Sequence, residues 1–298
     1  MVADSVVCIG VFDGVHIGHQ ALIAHGRVLA DELGCQVVVI TFNPHPGRVL
    51  RPDGAPAELG SLADRIDWIK QAGADEVIVM PFTPTLAATS PREFAHLALR
   101  EHTHALAVVV GENFTFGAGA TGSVSTLAEL GEEMGFVADS LMVRDGQENV
   151  SSTRIRRLLS LDGDVAEAAK LLGRCYFIRG IVVHGDARGR ELGYPTANLA
   201  WSADLVIPAD GVYAGWLNVR GERLPAAISV GTNPQFHGED QRIEAFVIDR
   251  EGLDLYGQRV AIEFAERIRG QETFASTEEF VTQMGLDVAL ARALVQGA

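Results

Sequence analysis

The spacing of apolar residues changes period once along this chain of 298 residues, and that change constrains the fold more than any other feature. Up to about residue 150, short β-branched runs (6–11, 36–42, 76–81, 105–110 and 136–143) alternate with amphipathic stretches (20–34, 62–72, 91–102 and 124–135). In the first of these stretches Ala21, Leu22, Val28 and Leu29 recur at near-helical spacing, and Gly34 supplies the stop. Continuous apolar strands separated by helices pair in parallel, because each crossover helix covers a face of the sheet. The pattern predicts an N-terminal α/β domain with an open parallel sheet. Two short helices, 152–159 and 165–172, follow. After Gly173 strand-like runs take over (176–184, 211–219, 224–230, 242–249 and 259–268), separated by Gly, Pro and Asp turns, and a helix at 277–294 comes last. Closely spaced strands with period-two alternation predict a C-terminal antiparallel β-barrel with a terminal helix. The boundary falls near residue 173, giving domains 1–173 and 174–298, as the chain length also suggests at roughly 150 residues per domain.

Composition narrows the partners. Hydrophobic residues make up 47% of the chain, enough apolar surface to offset the entropy of ordering it, which excludes a disordered chain. The three cysteines, Cys8, Cys35 and Cys175, are odd in number, widely spaced and without zinc-ligand spacing, as in a reduced cytoplasmic protein. The net charge of −15 repels bulk nucleic acid and anionic membrane, so neither is an expected partner. No apolar run is long enough to span a bilayer, and the N-terminus does not read as a secretory signal. An anionic small substrate needs a local pocket of basic groups and backbone N–H donors.

The string GVFDGVHIGH at 10–19 supplies one such pocket. It joins the first strand to the first helix, and in an open α/β sheet that turn lies at the carboxyl edge, where ligands bind. Gly10, Gly14 and Gly18 let the backbone approach a bulky group, with Phe12 between them, and the helix N-terminus that follows favours phosphate. His16 and His19 are three apart and share a helix face, where two imidazoles can hydrogen-bond the oxygens of a phosphate under attack. A lone histidine here would read as a surface residue or a cap. Two histidines with three glycines at a first βα turn favour the phosphate reading. Downstream, SSTRIR at 151–156 opens a helix in which Ser152 and Thr153 can cap or donate to phosphate, and Arg154 and Arg156 add charge-assisted donors. An ordinary cap would explain that string alone; the histidine turn upstream tips it toward a triphosphate, whose distal end needs cations.

The strings TFNPHP at 41–46 and GENFTFG at 111–117 follow strands and belong at the same edge. Asn113 is placed to read a base or ribose edge, while Phe114 and Phe116 either pack a ring system or belong to the core. The run GAGATG at 117–122 matches G-x-G-x-x-G but does not directly follow its strand, so it reads as a ligand-covering loop rather than a dinucleotide fingerprint.

The second half holds a different loop. In GIVVHGDARGRELGYPTANL at 180–199, Gly185, Gly189 and Gly193 make a permissive turn, and Arg188 and Arg190 bring cations for phosphate. It is not a Walker loop, because no Gly-Lys-Ser/Thr follows. Thr196 and Asn198 alternate onto one side of a strand and, with ATP phosphates and water, form a hard-ligand set for Mg²⁺; a Gly-rich hairpin with two polar strand positions is the plainer alternative. On the strand at 242–249, Glu244 shares a face with Arg242 and Phe246, opposite Ile243, Ala245 and Val247. A carboxylate turned inward is costly unless hydrogen-bonded or useful, and this one can act as the base for an attacking hydroxyl. A solvated strand face is the plainer reading.

The turn at 10–19 resembles the His-x-Gly-His signature of the nucleotidylyltransferase superfamily. That superfamily includes class I tRNA synthetases, but no Lys-Met-Ser-Lys-Ser string occurs. With 41–46, 111–117 and 151–156, and with 180–199, 208–214, 228–234 and 254–257 in the second half, nearly the whole chain resembles the bacterial bifunctional riboflavin kinase/FMN adenylyltransferases. The resemblance implies a nucleotidylyltransferase-like N-terminal domain that joins FMN to the AMP part of ATP, giving FAD and pyrophosphate. It implies a C-terminal barrel that phosphorylates riboflavin with ATP. His16 and His19 match the α-phosphate pair, and Ser152, Thr153 and Arg156 the distal contacts. Thr196 and Asn198 match the motif that helps hold Mg²⁺, and Glu244 the base. Asn43, Thr115 and Gln235 stand where the family often has Asp, Arg and Thr. An enzyme with one active half, or a flavin-binding protein without turnover, is the alternative.

Overall fold

A computed structural model of the chain describes residues 3–142, 144–145, 148–185, 193–232, 241–250 and 252–296. The chain divides into two compact units, Met1–Ser152 and Thr153–Ala298.

The first unit runs β1 (Ser5–Ile9), α1 (Ile17–Leu33), β2 (Gln36–Asn43), α2 (Pro46–Leu50), α3 (Leu62–Gln71), β3 (Glu76–Pro81), α4 (Pro84–Ala87), α5 (Pro91–Ala95), β4 (Ala105–Gly111), α6 (Val124–Met134) and β5 (Val137–Leu141), with a short antiparallel pair, β6 (Arg144–Asp145) and β7 (Glu148–Asn149). The five-stranded sheet has the order β3-β2-β1-β4-β5, and every pairing in it is parallel. Val7 lies between Val38 and Val108 in register, and all five residues of β1 are buried, as a strand covered on both faces must be. From β1 the chain moves outward to β2 and β3, then returns to β4 on the other side. The order therefore reverses between β1 and β4, and a crevice opens at their carboxyl ends.

Helix α1 starts three residues before its apolar pattern, because the His16 side chain caps it, and it ends at Gly34 in the left-handed region. A capping box, Ser61 with Asp64, starts α3. The helix expected over 91–102 breaks into α5 and a π-helical turn, His96–Glu101, after which Thr103 donates its hydroxyl to the carbonyls of Ala98 and Leu99.

The second unit runs α7 (Ser152–Arg157, starting at the unit boundary), a π-helical turn (Leu158–Asp162), α8 (Val165–Leu172), β8 (Tyr176–Val183), β9 (Thr196–Ala200), β10 (Gly211–Val219), β11 (Glu222–Thr232), β12 (Gln241–Val247), β13 (Arg259–Arg269) and α9 (Thr277–Gln296). The six strands close into an antiparallel barrel in the order β10-β11-β12-β9-β8-β13. The division into units falls at Ser152, and the π-helical turn Leu158–Asp162 is bonded to the barrel unit. Ala209 N–H donates to the Leu159 carbonyl, and Arg267 donates to the carbonyls of Asp162 and Asp210.

Ile228, Val230, Ile243 and Ala245 fill the barrel, where Tyr213 meets Phe264 edge-on. Helix α9 covers the outside, packing Ala291 and Val295 on Trp216, Ala227 and Phe246. Its polar anchor is Asp287, which accepts a bidentate bond from Arg269 (2.7 and 3.1 Å) and a third from Gln283 (2.9 Å). Asp287→Ala strands a largely buried guanidinium and is expected to destabilise this unit by about 3 kcal/mol. Native-state hydrogen exchange resolved to α9 and β13 measures the loss, and unchanged protection there would refute the anchor role.

Candidate active sites

Strand β1 ends at Ile9, and the chain must then reverse into α1 within a few residues. The turn does so with positive φ at Phe12 (52°), Gly14 (75°) and Val15 (37°). A β-branched residue in that region is strained, and such strain persists only where the surroundings over-determine it. They do so here. Phe12, Asp13 and Val15 are buried. The Asp13 carboxylate accepts the Leu59 N–H (2.9 Å), the Asp13 carbonyl accepts the Ser152 hydroxyl (2.9 Å), Thr41 donates to the Val11 carbonyl (2.9 Å) and Gln20 to that of Val15 (2.8 Å).

This rigid turn delivers the histidine pair. His16 Nδ1 accepts the backbone N–H of His19 (3.3 Å), which leaves the proton of neutral His16 on Nε2. The two rings stack with centroids 3.6 Å apart. Burial, then the His16 ring and the Arg65 guanidinium, hold His19 well below the usual imidazole range, so it is neutral at pH 7. His19 Nδ1 is buried without a hydrogen-bond partner among the described residues. The pair therefore offers ring N–H donors at a helix N-terminus, an arrangement suited to phosphate oxygens.

Beside the turn, at the reversal point of the sheet, lies a cavity of about 420 Å³. Gly10 and Val11 border it from β1, and residues 113–117 border it from the loop after β4. Asn113 is exposed on the rim. Phe114 and Phe116 stack at 5.5 Å, Phe116 touches Phe94 at 5.8 Å, and Phe42 meets Phe82 edge-on at 5.7 Å. The two readings of Phe114 and Phe116 merge, for Phe116 is core and cavity wall at once. Gly117, Gly119 and Ala120 add a rim from the 117–122 loop. Phe12 is not part of this cavity wall: it is buried and supports the His19 ring at 5.1 Å. Gly18 lies in the first turn of α1. On α7, Ser152 ties to the Asp13 carbonyl, while Thr153 is exposed and Arg156 half-buried in the second unit.

In the barrel, Thr196, Asn198 and Glu244 come together on one face. Register places Glu244 opposite Asn198 and Phe246 opposite Thr196, and the Thr196 hydroxyl donates to Glu244 Oε2 (2.9 Å). That face is the outer one. Ile243, Ala245 and Val247 take the interior, so Glu244 does not point into the barrel; it is half-buried and hydrogen-bonded. Gly185 passes so close to Asn198 that a Cβ on it would lie 2.3 Å from the side-chain amide nitrogen, and no residue but glycine fits without displacing Asn198. Gly193, at φ +85°, closes the same loop, whereas Arg190, with Arg188 and Gly189, falls outside the described residues, as does Gln235. A cavity of about 320 Å³ adjoins Thr196, lined by Val182, Pro195, Leu253 and Tyr256, with Tyr256 stacked on His184 at 3.9 Å.

Two family models match this chain in sequence: FAD synthetase over residues 2–154 and riboflavin kinase over residues 172–295. Over 96% of its length it is 36% identical to the bifunctional riboflavin kinase/FMN adenylyltransferase of Bacillus subtilis (strain 168), covering 90% of that protein. It is 35% identical to the protein of the same description from Escherichia coli (strain K12), covering 91% of it. The chain belongs to the bifunctional riboflavin kinase/FMN adenylyltransferase family. It carries an FAD synthetase domain followed by a riboflavin kinase domain. A crystal structure described as a macrolide-efflux protein from Streptococcus pneumoniae superposes with a TM-score of 0.89 at 35% identity, covering 97% of this chain and 94% of that one. The family assignment rests on the two models and the curated relatives. Among the described residues of this family member no helix is long and apolar enough to cross a membrane.

Several site residues escape a sequence reading. Phe42, Phe82 and Phe94 wall the first cavity, yet in sequence they are indistinguishable from core positions. Arg65 reads as an exposed helix residue and is fully buried.

Proposed function

We propose that the first unit transfers AMP from ATP to FMN at the His16–His19 turn, and that the barrel transfers the γ-phosphate of ATP to riboflavin at Glu244. The observation that carries this reading is the histidine turn of the first unit and the Thr196–Glu244 pair of the barrel, each on the matching family segment.

In the barrel, the Glu244 carboxylate takes the proton of the riboflavin 5′-hydroxyl as its oxygen attacks the γ-phosphorus, and ADP leaves. The Thr196 hydroxyl, donating to Glu244, orients that carboxylate. Tyr194 and Phe246, with rings 5.2 Å apart on the Glu244 face, suit a planar ring system. The Thr196 and Asn198 oxygens fit Mg²⁺, which takes one or two protein oxygens alongside substrate phosphates. Bound there, the ion would neutralise charge on the β- and γ-phosphates. Gly185, Gly193 and Arg190 would then cradle the phosphates.

In the first unit, a phosphate oxygen of FMN attacks the α-phosphorus and pyrophosphate leaves. The imidazole N–H donors of His16 and His19 and the α1 N-terminus meet the charge that builds there. The cavity walled by Phe42, Phe114 and Phe116 takes a ring system; Gly10 and Gly18 allow close approach, and Asn113 reads a polar edge. Ser152, whose hydroxyl bonds the Asp13 carbonyl of the turn, belongs to the distal-phosphate end of this site. The reading places the enzyme in the cytoplasm. Incubation with riboflavin, ATP and Mg²⁺ should yield FMN and then FAD by chromatography. Appearance of neither product would overturn it, and FMN alone would confine activity to the barrel.

A further inference from the structure

Arg65 on α3 is the largest fully buried side chain among the described residues. Its Nη1 donates to the Phe42 carbonyl near the end of β2 (2.9 Å), and its Nη2 pairs with Glu58 (2.5 Å). Its Nε has no hydrogen-bond partner among the described residues. Glu58 is also bonded by Arg48 Nε (3.3 Å), so one carboxylate is shared by two guanidinium groups and Arg65 is not fully neutralised by it. The residue after Glu58, Leu59, is the one whose N–H holds the Asp13 carboxylate of the phosphate turn. Arg65 therefore connects to the turn through Glu58–Leu59–Asp13, and to the cavity through Phe42.

A buried, incompletely paired guanidinium is expensive, and an apolar side chain of similar volume is often as good for stability or better. Packing does not account for a charge here. We infer that Arg65 is a positioning residue for adenylyl transfer: through Glu58 and Leu59 it braces the turn that presents His16 and His19, and it fixes a positive charge behind that turn. This inference rests on the adenylyl-transfer reading of the first unit.

A fixed cation next to an imidazole opposes its protonation and attracts phosphate, so His19 stays a neutral donor while anionic substrates are drawn in. The lowered proton affinity of His19 accords with this, with Arg65 contributing after burial and His16. Charged and titratable groups about the turn, among the described residues, include His16, Asp13, Arg65 with Glu58 and Arg48 behind it, and the buried Asp64 that precedes Arg65 on α3.

The test compares wild type, R65M and R65K. The rate of FAD formation from FMN is followed from pH 5 to 8, and the imidazole ¹⁵N signals of His19 over the same range. With R65M, the acid limb of the rate profile and the His19 titration should both move to higher pH. With R65K, which keeps the charge, both should stay at the wild-type position. Unmoved profiles in R65M would overturn the inference. If R65M does not fold, R65Q, which keeps polar groups but carries no charge, takes its place: an upward move of the His19 titration in it supports the inference, and an unmoved titration refutes it. A wild-type protein that makes no FAD would defeat the adenylyl-transfer reading instead, and the His19 titration would still judge the charge of Arg65.

Discussion

His19→Ala is expected to lower FAD formation from FMN by about 10²–10³ in kcat while riboflavin phosphorylation continues at the wild-type rate. The size follows from what is lost. His19 is a neutral imidazole whose ring stacks on His16 and whose Nδ1 has no hydrogen-bond partner among the described residues, so its bonding capacity is left for substrate. The cap on α1 survives, because His16 Nδ1 accepts the backbone N–H of residue 19 and not its side chain. The expected defect is therefore chemical, with the helix and turn intact. Parallel initial-rate assays, one started from FMN and one from riboflavin, measure it. Equal loss of both activities in a folded variant would contradict the assignment of separate chemistry to the two units.

The converse variant is Glu244→Gln. It preserves volume and leaves an oxygen for the Thr196 hydroxyl, now donated to an amide carbonyl, so the β9–β12 face should hold its geometry. What disappears is the proton acceptor. Riboflavin phosphorylation should fall by about 10²–10⁴, the usual contribution of a positioned general base, and conversion of FMN to FAD should be unaffected. The same pair of assays reads both numbers. A kinase of normal rate would remove Glu244 from the mechanism and leave it a hydrogen-bond partner of Thr196.

Much of this architecture was legible because the period of apolar residues follows from which faces are buried. A strand covered on both faces, such as β1, has no polar position to show, and it stands out as an unbroken apolar run. Strand β3 fell at its predicted bounds, since Gly73 and Pro81 bracket it. The histidine turn was legible for a different reason: three glycines and two histidines have no packing rationale at a surface turn. What stayed hidden depends on contacts distant in sequence. The inner and outer faces of β12 follow from barrel closure with β9 and β11, and period-two alternation is the same whichever face is inside. The π-helical turn between α7 and α8 is tied to the barrel by bonds from Ala209 and Arg267, which no local pattern announces. Arg65 looks like any helix arginine until Glu58 and the Phe42 carbonyl are seen around it. The aromatic wall of the first cavity is core continued to the surface, and hydrophobicity alone does not mark where a core ends.

Position-labelled ATP tests the central claim most directly, because the two units are assigned attack at different phosphorus atoms. Supplied with riboflavin and γ-labelled ATP, the enzyme should place label in FMN and retain it in the FAD that follows. Supplied with FMN and α-labelled ATP, it should place label in FAD and none in FMN. Label from the α position in FMN, or unlabelled FAD in the second reaction, would contradict the account.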